Sequence, residues 1–198
     1  MVKHQKISCY ILAGGKSSRM GRDKGLILLN NKAIVQSLIE KLETSFDDII
    51  VVSNNKDYEQ FGKAVIADSV LNIGPAGGIY TALQHAKRDK IFIISCDMPF
   101  VTVDAIAFLI GQSENNEIVL PYYQKHPEPL CSVLSKSCLG LWKSNIDKGV
   151  FKLQDIMANF NTLHLHVDKI DLFKSDFFFN VNSEEQLEEA KRKLQNES

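Results

Sequence analysis

Short runs that are apolar almost from end to end recur through the first half of the chain: Ile7 to Leu12, Ile49 to Ser53, Ala64 to Ala67 and Ile91 to Ser95. A strand with no polar face must be buried on both faces. Between these runs lie stretches with helical periodicity. Ala33 to Thr44 places Ile34, Leu38, Ile39 and Leu42 on one side, and Ala76 to Lys87 and Thr102 to Ile110 read as further helices. Strands alternating with helices in this way predict a doubly wound α/β fold with a mostly parallel sheet and helices on both faces. Such sheets bind ligands beyond the carboxyl ends of their strands. The segments to inspect are therefore Ala13 to Lys24, Asn54 to Asn55, Asp68 to Pro75 and Asp97 to Phe100.

The second half is less regular. Glu117 to Leu120 and Leu130 to Leu134 read as strands around the turn His126 to Pro129. Ser137 to Ile146 and Phe151 to Asn159 read as helices. Ser183 to Gln195 reads as a charged terminal helix with Ser183 as N-cap and Leu187, Ala190 and Leu194 inward. No linker or repeat divides the 198 residues, so a single domain over 1–198 is expected. Its regular half would cover about residues 1–110 and its less regular half about 111–198.

Composition removes several function classes. With 23 basic and 24 acidic residues the net charge is −1, so no general field for nucleic acid exists. No apolar run reaches the roughly 18 residues a membrane helix needs. The apolar stretch before Gly14 is too short for a secretory signal, and a cytoplasmic location is expected. Cys9, Cys96, Cys131 and Cys138 form no C-x-x-C pair, and they read as small buried residues. His164 and His166 would share one side of a strand, but no further metal ligand lies near them in sequence.

The strongest chemical signal follows the first strand: Leu12-Ala13-Gly14-Gly15-Lys16-Ser17-Ser18-Arg19-Met20-Gly21-Arg22-Asp23-Lys24. Glycines let backbone N–H groups approach an anion, and Arg and Lys neutralise phosphate. The segment is not a P-loop, because the first glycine of that motif would fall on Tyr10. It also lacks the G-x-G-x-x-G dinucleotide spacing. Asp97 ends an apolar run and offers one carboxylate, which suits Mg²⁺ held together with phosphate oxygens. Asn180 and Asn182 would point the same way in an extended segment. Phe177, Phe178 and Phe179 before them read as core.

The loop resembles the signature of nucleotidyltransferases that activate sugars and cofactors, and most closely that of the molybdenum cofactor guanylyltransferases. Further stretches are similar to that family: Asp68-Ser69, Gly74-Pro75-Ala76-Gly77-Gly78-Ile79, Cys96-Asp97-Met98-Pro99-Phe100 and Phe179-Asn180-Val181-Asn182-Ser183. One departure is Ala76-Gly77, where the family has Leu-Ala. The resemblance implies a three-layer αβα, Rossmann-like domain that transfers GMP from GTP to molybdopterin and releases pyrophosphate, with Mg²⁺ as cofactor. It implies catalytic roles for Arg19, Lys24 and Asp97, with Asp97 holding the metal. It implies nucleotide contacts from Leu12, Ala13, Gly14, Gly15, Lys24, Asn55, Asp68 and Asp97, and molybdopterin contacts from Asn180 and Asn182. Other molybdenum cofactor biosynthesis proteins and molybdoenzymes are the implied protein partners; neither nucleic acid nor membrane is.

A terminal phosphate as nucleophile is already anionic, so this chemistry needs no general base, only alignment and charge stabilisation. Other readings stay open: a cytidylyltransferase acting on the same cofactor, a sugar or terpenoid-precursor nucleotidyltransferase, or a GTP-binding accessory protein without catalysis. Because Asn180 and Asn182 lie on a different segment from the triphosphate loop, their loss is expected to spare GTP affinity.

Overall fold

The computed structural model describes residues 6–14 and 23–196. In chain order come β1 (Ile7–Leu12), β2 (Leu28–Leu29), β3 (Lys32–Ala33), α1 (Ile34–Leu42), β4 (Ile49–Val52), β5 (Ala64–Ile66), α2 (Pro75–His85) and β6 (Lys90–Ser95). Then follow α3 (Val103–Gly111), β7 (Ile118–Tyr123), β8 (His126–Pro127), β9 (Cys131–Ser135), α4 (Leu139–Asp147), α5 (Leu153–Met157), β10 (Thr162–His166) and α6 (Glu184–Asn196).

The main sheet has the order β10-β7-β9-β6-β1-β4-β5, with β8 paired to β7. β1 pairs in parallel with both β4 and β6, β4 with β5, and β7 with β10. Only β9 on that path runs the other way, antiparallel to β6 and β7. The expected mostly parallel sheet is therefore present. The chain steps from β1 to β4 on one side and returns to β6 on the other. That reversal opens a crevice at the carboxyl ends of β1 and β6, where open α/β sheets take their ligands.

Side-chain alternation explains why these strands look apolar throughout. Cys9 and Ile11 of β1 face one core layer with Leu38 and Leu42 of α1 and Leu109 of α3. Tyr10 and Leu12 face the other, with Leu83 of α2, Trp142 of α4 and Ile156 of α5. α6 forms a smaller cluster through Leu187 and Ala190 against Ile34, Phe100 and Val181. Its N-terminus is capped as expected: Ser183 Oγ accepts from Gln186 N at 3.2 Å. Phe177 and Phe178 are buried in the first layer, Phe178 stacked on Phe173 and Phe177 edge-on to it.

Two hairpins were not legible as periodic runs. β2 and β3 join through Asn30 and Asn31, both with positive φ, and β7 and β8 join through Gln124 and Lys125, also both positive. Paired left-handed residues match the right-handed twist of the strands they connect.

Candidate active site

The loops at the crevice surround a cleft of about 860 Å³. From β1 come Leu12, Ala13 and Gly14; from the start of the next turn come Asp23 and Lys24. Asp68 and Gly78 close one side, and Asp97, Asn180 and Asn182 close the other. Segments separated by more than half the chain thus converge on one space. Gly15 and Arg19 lie outside the described residues.

Asp97 is only 6% exposed. Its Oδ1 accepts from Ser95 Oγ at 2.6 Å, and its Oδ2 lies 3.6 Å from Lys24 Nζ. It caps no helix: Thr102 holds the N-cap position of α3, and its carbonyl accepts from Ile106 N at 3.2 Å. The Asp97 carbonyl accepts from Val181 N at 3.0 Å, which ties the strand β6 end to the segment before α6. Lys24 Nζ also donates to Asn182 Oδ1. Lys24 and Asn182, expected at separate half-sites, are therefore in direct contact. Asn180 is turned to its own backbone, with Nδ2 donating to Phe178 O at 2.9 Å.

A second knot fixes where Lys24 begins. Asp23 Oδ1 accepts from Gly25 N at 3.3 Å and from the Tyr58 hydroxyl, while Oδ2 accepts from Asn55 Nδ2 at 3.2 Å. Burial, with Cys96 and Asp23 close by, holds the Tyr58 hydroxyl well above its ordinary range, so it stays a donor. Burial likewise keeps the Cys96 thiol protonated, helped by the charge of Asp97. Gly25 fits here because a Cβ would stand 2.5 Å from the Tyr58 hydroxyl oxygen.

The cleft side of β4 departs from the sequence reading. Asn55, expected at the nucleotide, holds Asp23 and accepts from Asp57 N at 3.0 Å instead. Its neighbour Asn54 lines the cleft and accepts from Asp68 N at 3.2 Å. An Asn pair after a strand signals this position but leaves the register open. Asp68 is further set by Thr81 Oγ1, which donates to its Oδ1 at 2.9 Å. The smaller side chains of Ala76-Gly77 have a steric reason at Gly77. A Cβ at Gly77 would stand 2.5 Å from the Val70 carbonyl oxygen, so the loop carrying Asp68 packs closer than alanine permits. Leu71 and Leu130 are cleft residues that the sequence reading did not single out.

Asp97 supplies a hard carboxylate with a serine hydroxyl beside it. One carboxylate with phosphate oxygens and water is a donor set that Mg²⁺ accepts. Among the described residues no cluster of three or more His, Cys, Asp or Glu could hold a metal on protein ligands alone. His164 and His166 do lie on one face of β10, but their neighbour is Tyr122.

The family model described as a MobA-like NTP transferase domain matches residues 9–163, from β1 through β10. The chain belongs to this nucleotidyltransferase family. A protein of Clostridium perfringens named "Probable molybdenum cofactor guanylyltransferase" is 32% identical over 95% of this chain and 98% of its own. A Vibrio vulnificus protein named "Molybdenum cofactor guanylyltransferase" is 32% identical over 94% and 96%. Among solved structures, molybdopterin-guanine dinucleotide biosynthesis protein A of Archaeoglobus fulgidus superimposes with a TM-score of 0.83 at 23% identity, covering 96% of this chain and 99% of that one. The Anaerococcus prevotii 4-diphosphocytidyl-2C-methyl-D-erythritol synthase shares the fold, with a TM-score of 0.75 at 11% identity over 96% of each chain. No helix among the described residues is long and apolar enough to cross a membrane.

Proposed function

We propose that this family member transfers GMP from GTP to molybdopterin, forming the guanine dinucleotide of the cofactor and pyrophosphate. The observation that carries the reading is the meeting of Lys24, Asp97 and Asn182 at one point of the cleft, because it joins a phosphate-binding cation, a metal-binding carboxylate and a polar group of the acceptor segment. The kinship with guanylyltransferases by name favours guanine over the cytidylyl alternative. A nearly buried Asp97 beside Lys24 argues against a binding-only role, since burying that carboxylate costs desolvation that mere adhesion does not require.

In this reading Leu12, Ala13 and Gly14 line the base and ribose, with Asp68 opposite. Gly15 and Arg19 belong to the triphosphate loop. Lys24 exchanges Asp97 for phosphate oxygens when GTP enters, and follows the charge that develops toward the leaving pyrophosphate. Asp97 would hold Mg²⁺, with Ser95 fixing its carboxylate. Bound there, the metal would offset charge on the phosphates. Asn182 keeps the Lys24 ammonium aligned, and Asn180 and Asn182 line the side of the cleft taken by the acceptor phosphate. The acceptor needs no proton removed. The reaction belongs in the cytoplasm, where GTP is available, with cofactor biosynthesis proteins and molybdoenzymes as partners.

Competitive binding tests the base assignment. GTP is expected to displace a fluorescent guanine nucleotide at concentrations well below those of CTP or ATP, because a site paired to one base edge leaves polar groups unmatched by another. Equal displacement by all three would overturn it.

A further inference from the structure

Asp23 lines the same cleft as Asp97, but its surroundings differ. Asp97 has one oxygen bonded to Ser95 Oγ and the other 3.6 Å from Lys24 Nζ. Asp23 is engaged on both oxygens: by Gly25 N and the Tyr58 hydroxyl at Oδ1, and by Asn55 Nδ2 at Oδ2. A carboxylate offers about four lone-pair sites, and three donors already converge on this one. Its setting is that of an anchor rather than of a metal ligand.

The donors come from two segments. Gly25 belongs to the short turn Lys24–Leu26, which Asp23 caps. Asn55 and Tyr58 belong to the segment that follows β4, and neither is among the residues lining the cleft. Tyr58 is fully buried. Asn55 is itself held, since its Oδ1 accepts from Asp57 N at 3.0 Å and its backbone N donates to Ser53 Oγ at 3.1 Å. The residues on either side of Lys24 are thus pinned to a fixed wall, while the Lys24 side chain runs the other way to Asp97 and Asn182.

We infer that Asp23, Asn55 and Tyr58 form a clamp that aims Lys24 at Asp97, and that Asn55 acts on the nucleotide only through this clamp. A lysine carries its charge on a flexible four-carbon stem, so where the ammonium lands depends on how firmly its root is held. Small displacements of a preorganised charge lower a rate steeply. All three are positioning residues. The inference rests on the proposed role of Lys24 at the triphosphate.

Exchanging the partners tests the clamp. Asp23→Asn leaves one acceptor oxygen for donors on both sides, and Asn55→Asp sets carboxylate against carboxylate. Each is expected to lower kcat for pyrophosphate release roughly ten- to hundredfold. Each should also lower the affinity for GTP relative to guanosine, read by displacement of a fluorescent guanine nucleotide. The double exchange Asp23→Asn/Asn55→Asp returns an amide and a carboxylate to opposite sides, and should recover roughly tenfold or more of the lost turnover and restore the GTP-to-guanosine ratio. Tyr58→Phe removes one hydroxyl and carries the test if the exchanges do not fold, as judged by Tm. It should lower kcat in the wild-type background and have no further effect beside Lys24→Ala. The preference for GTP over CTP should stay as in wild type throughout. A double exchange no better than its single variants, or full additivity of Tyr58→Phe with Lys24→Ala, would overturn the clamp. Loss of base preference in Asn55→Asp would also overturn it and place Asn55 at the base. Wild-type protein that releases no pyrophosphate from GTP with molybdopterin would overturn the transferase reading, and the displacement ratios would still decide the clamp.

Discussion

Lys24 Nζ stands 3.6 Å from Asp97 Oδ2, although one residue follows β1 and the other follows β6. The adjacency of β1 and β6, in register from Ile7 and Lys90 to Leu12 and Ser95, makes that meeting possible. Replacing Lys24 by Ala removes the cation on which the triphosphate charge depends. Turnover is expected to fall roughly hundred- to thousandfold, the loss typical of one preorganised charge-stabilising donor. Circular dichroism should be unchanged; near-normal turnover in a folded Lys24→Ala protein would remove the residue from the mechanism.

Asp97→Asn keeps the shape and the Ser95 contact but loses the charge. Transfer should be nearly abolished, and the Mg²⁺ concentration for half-maximal activity should rise steeply. A variant that retained the wild-type Mg²⁺ titration would show that Asp97 only positions Lys24.

Asn182 binds Lys24, so its loss is felt by both substrates. A hydrogen bond to a charged group contributes about 1.5–3 kcal/mol. Asn182→Ala should therefore lower kcat/KM roughly tenfold or more, whichever substrate is varied. An effect confined to molybdopterin would mean that Lys24 leaves Asn182 before GTP binds.

Gly77→Ala tests the close packing of the Asp68 loop. The added Cβ meets a backbone carbonyl that has no flexible end to move. Overpacking of this kind costs about 1–3 kcal/mol, and displacement of Asp68 should raise the KM for GTP. Unaltered thermal stability together with an unaltered KM would show that the loop yields freely.

Glu128 gives a pH signature. Burial holds its carboxyl up at about 7, above the unfolded value. A raised acid is favoured protonated in the folded state, so its stabilising contribution is complete below the unfolded pKa and fades as pH rises through about 7. Glu128→Gln should match wild type in Tm near pH 4 and exceed it at pH 8. Parallel Tm curves across that range would contradict the burial argument.

The apolar runs made the sheet and its layers legible, because a parallel strand buried on both faces leaves no polar residue to blur the pattern. β2 and β8 were not legible: each is two residues long and is set by a left-handed turn rather than by periodicity. At the site, strand ends pointed to Lys24, Asp68 and Asp97. What sequence could not give was which of two adjacent asparagines faces inward. Asn54 and Asn55 differ only in which partner the fold brings near, Asp68 for one and Asp23 for the other. The link between Lys24 and Asn182 was equally hidden, since 158 residues separate them.

Pyrophosphate release, measured with each of the four nucleoside triphosphates in the presence and absence of molybdopterin, decides whether the protein joins GMP to molybdopterin. Release is expected with GTP and molybdopterin together, with a product one GMP heavier by mass than the acceptor phosphate after loss of water, and little release when either is left out. Release that proceeds as fast with CTP as with GTP, or that needs no molybdopterin, would contradict it.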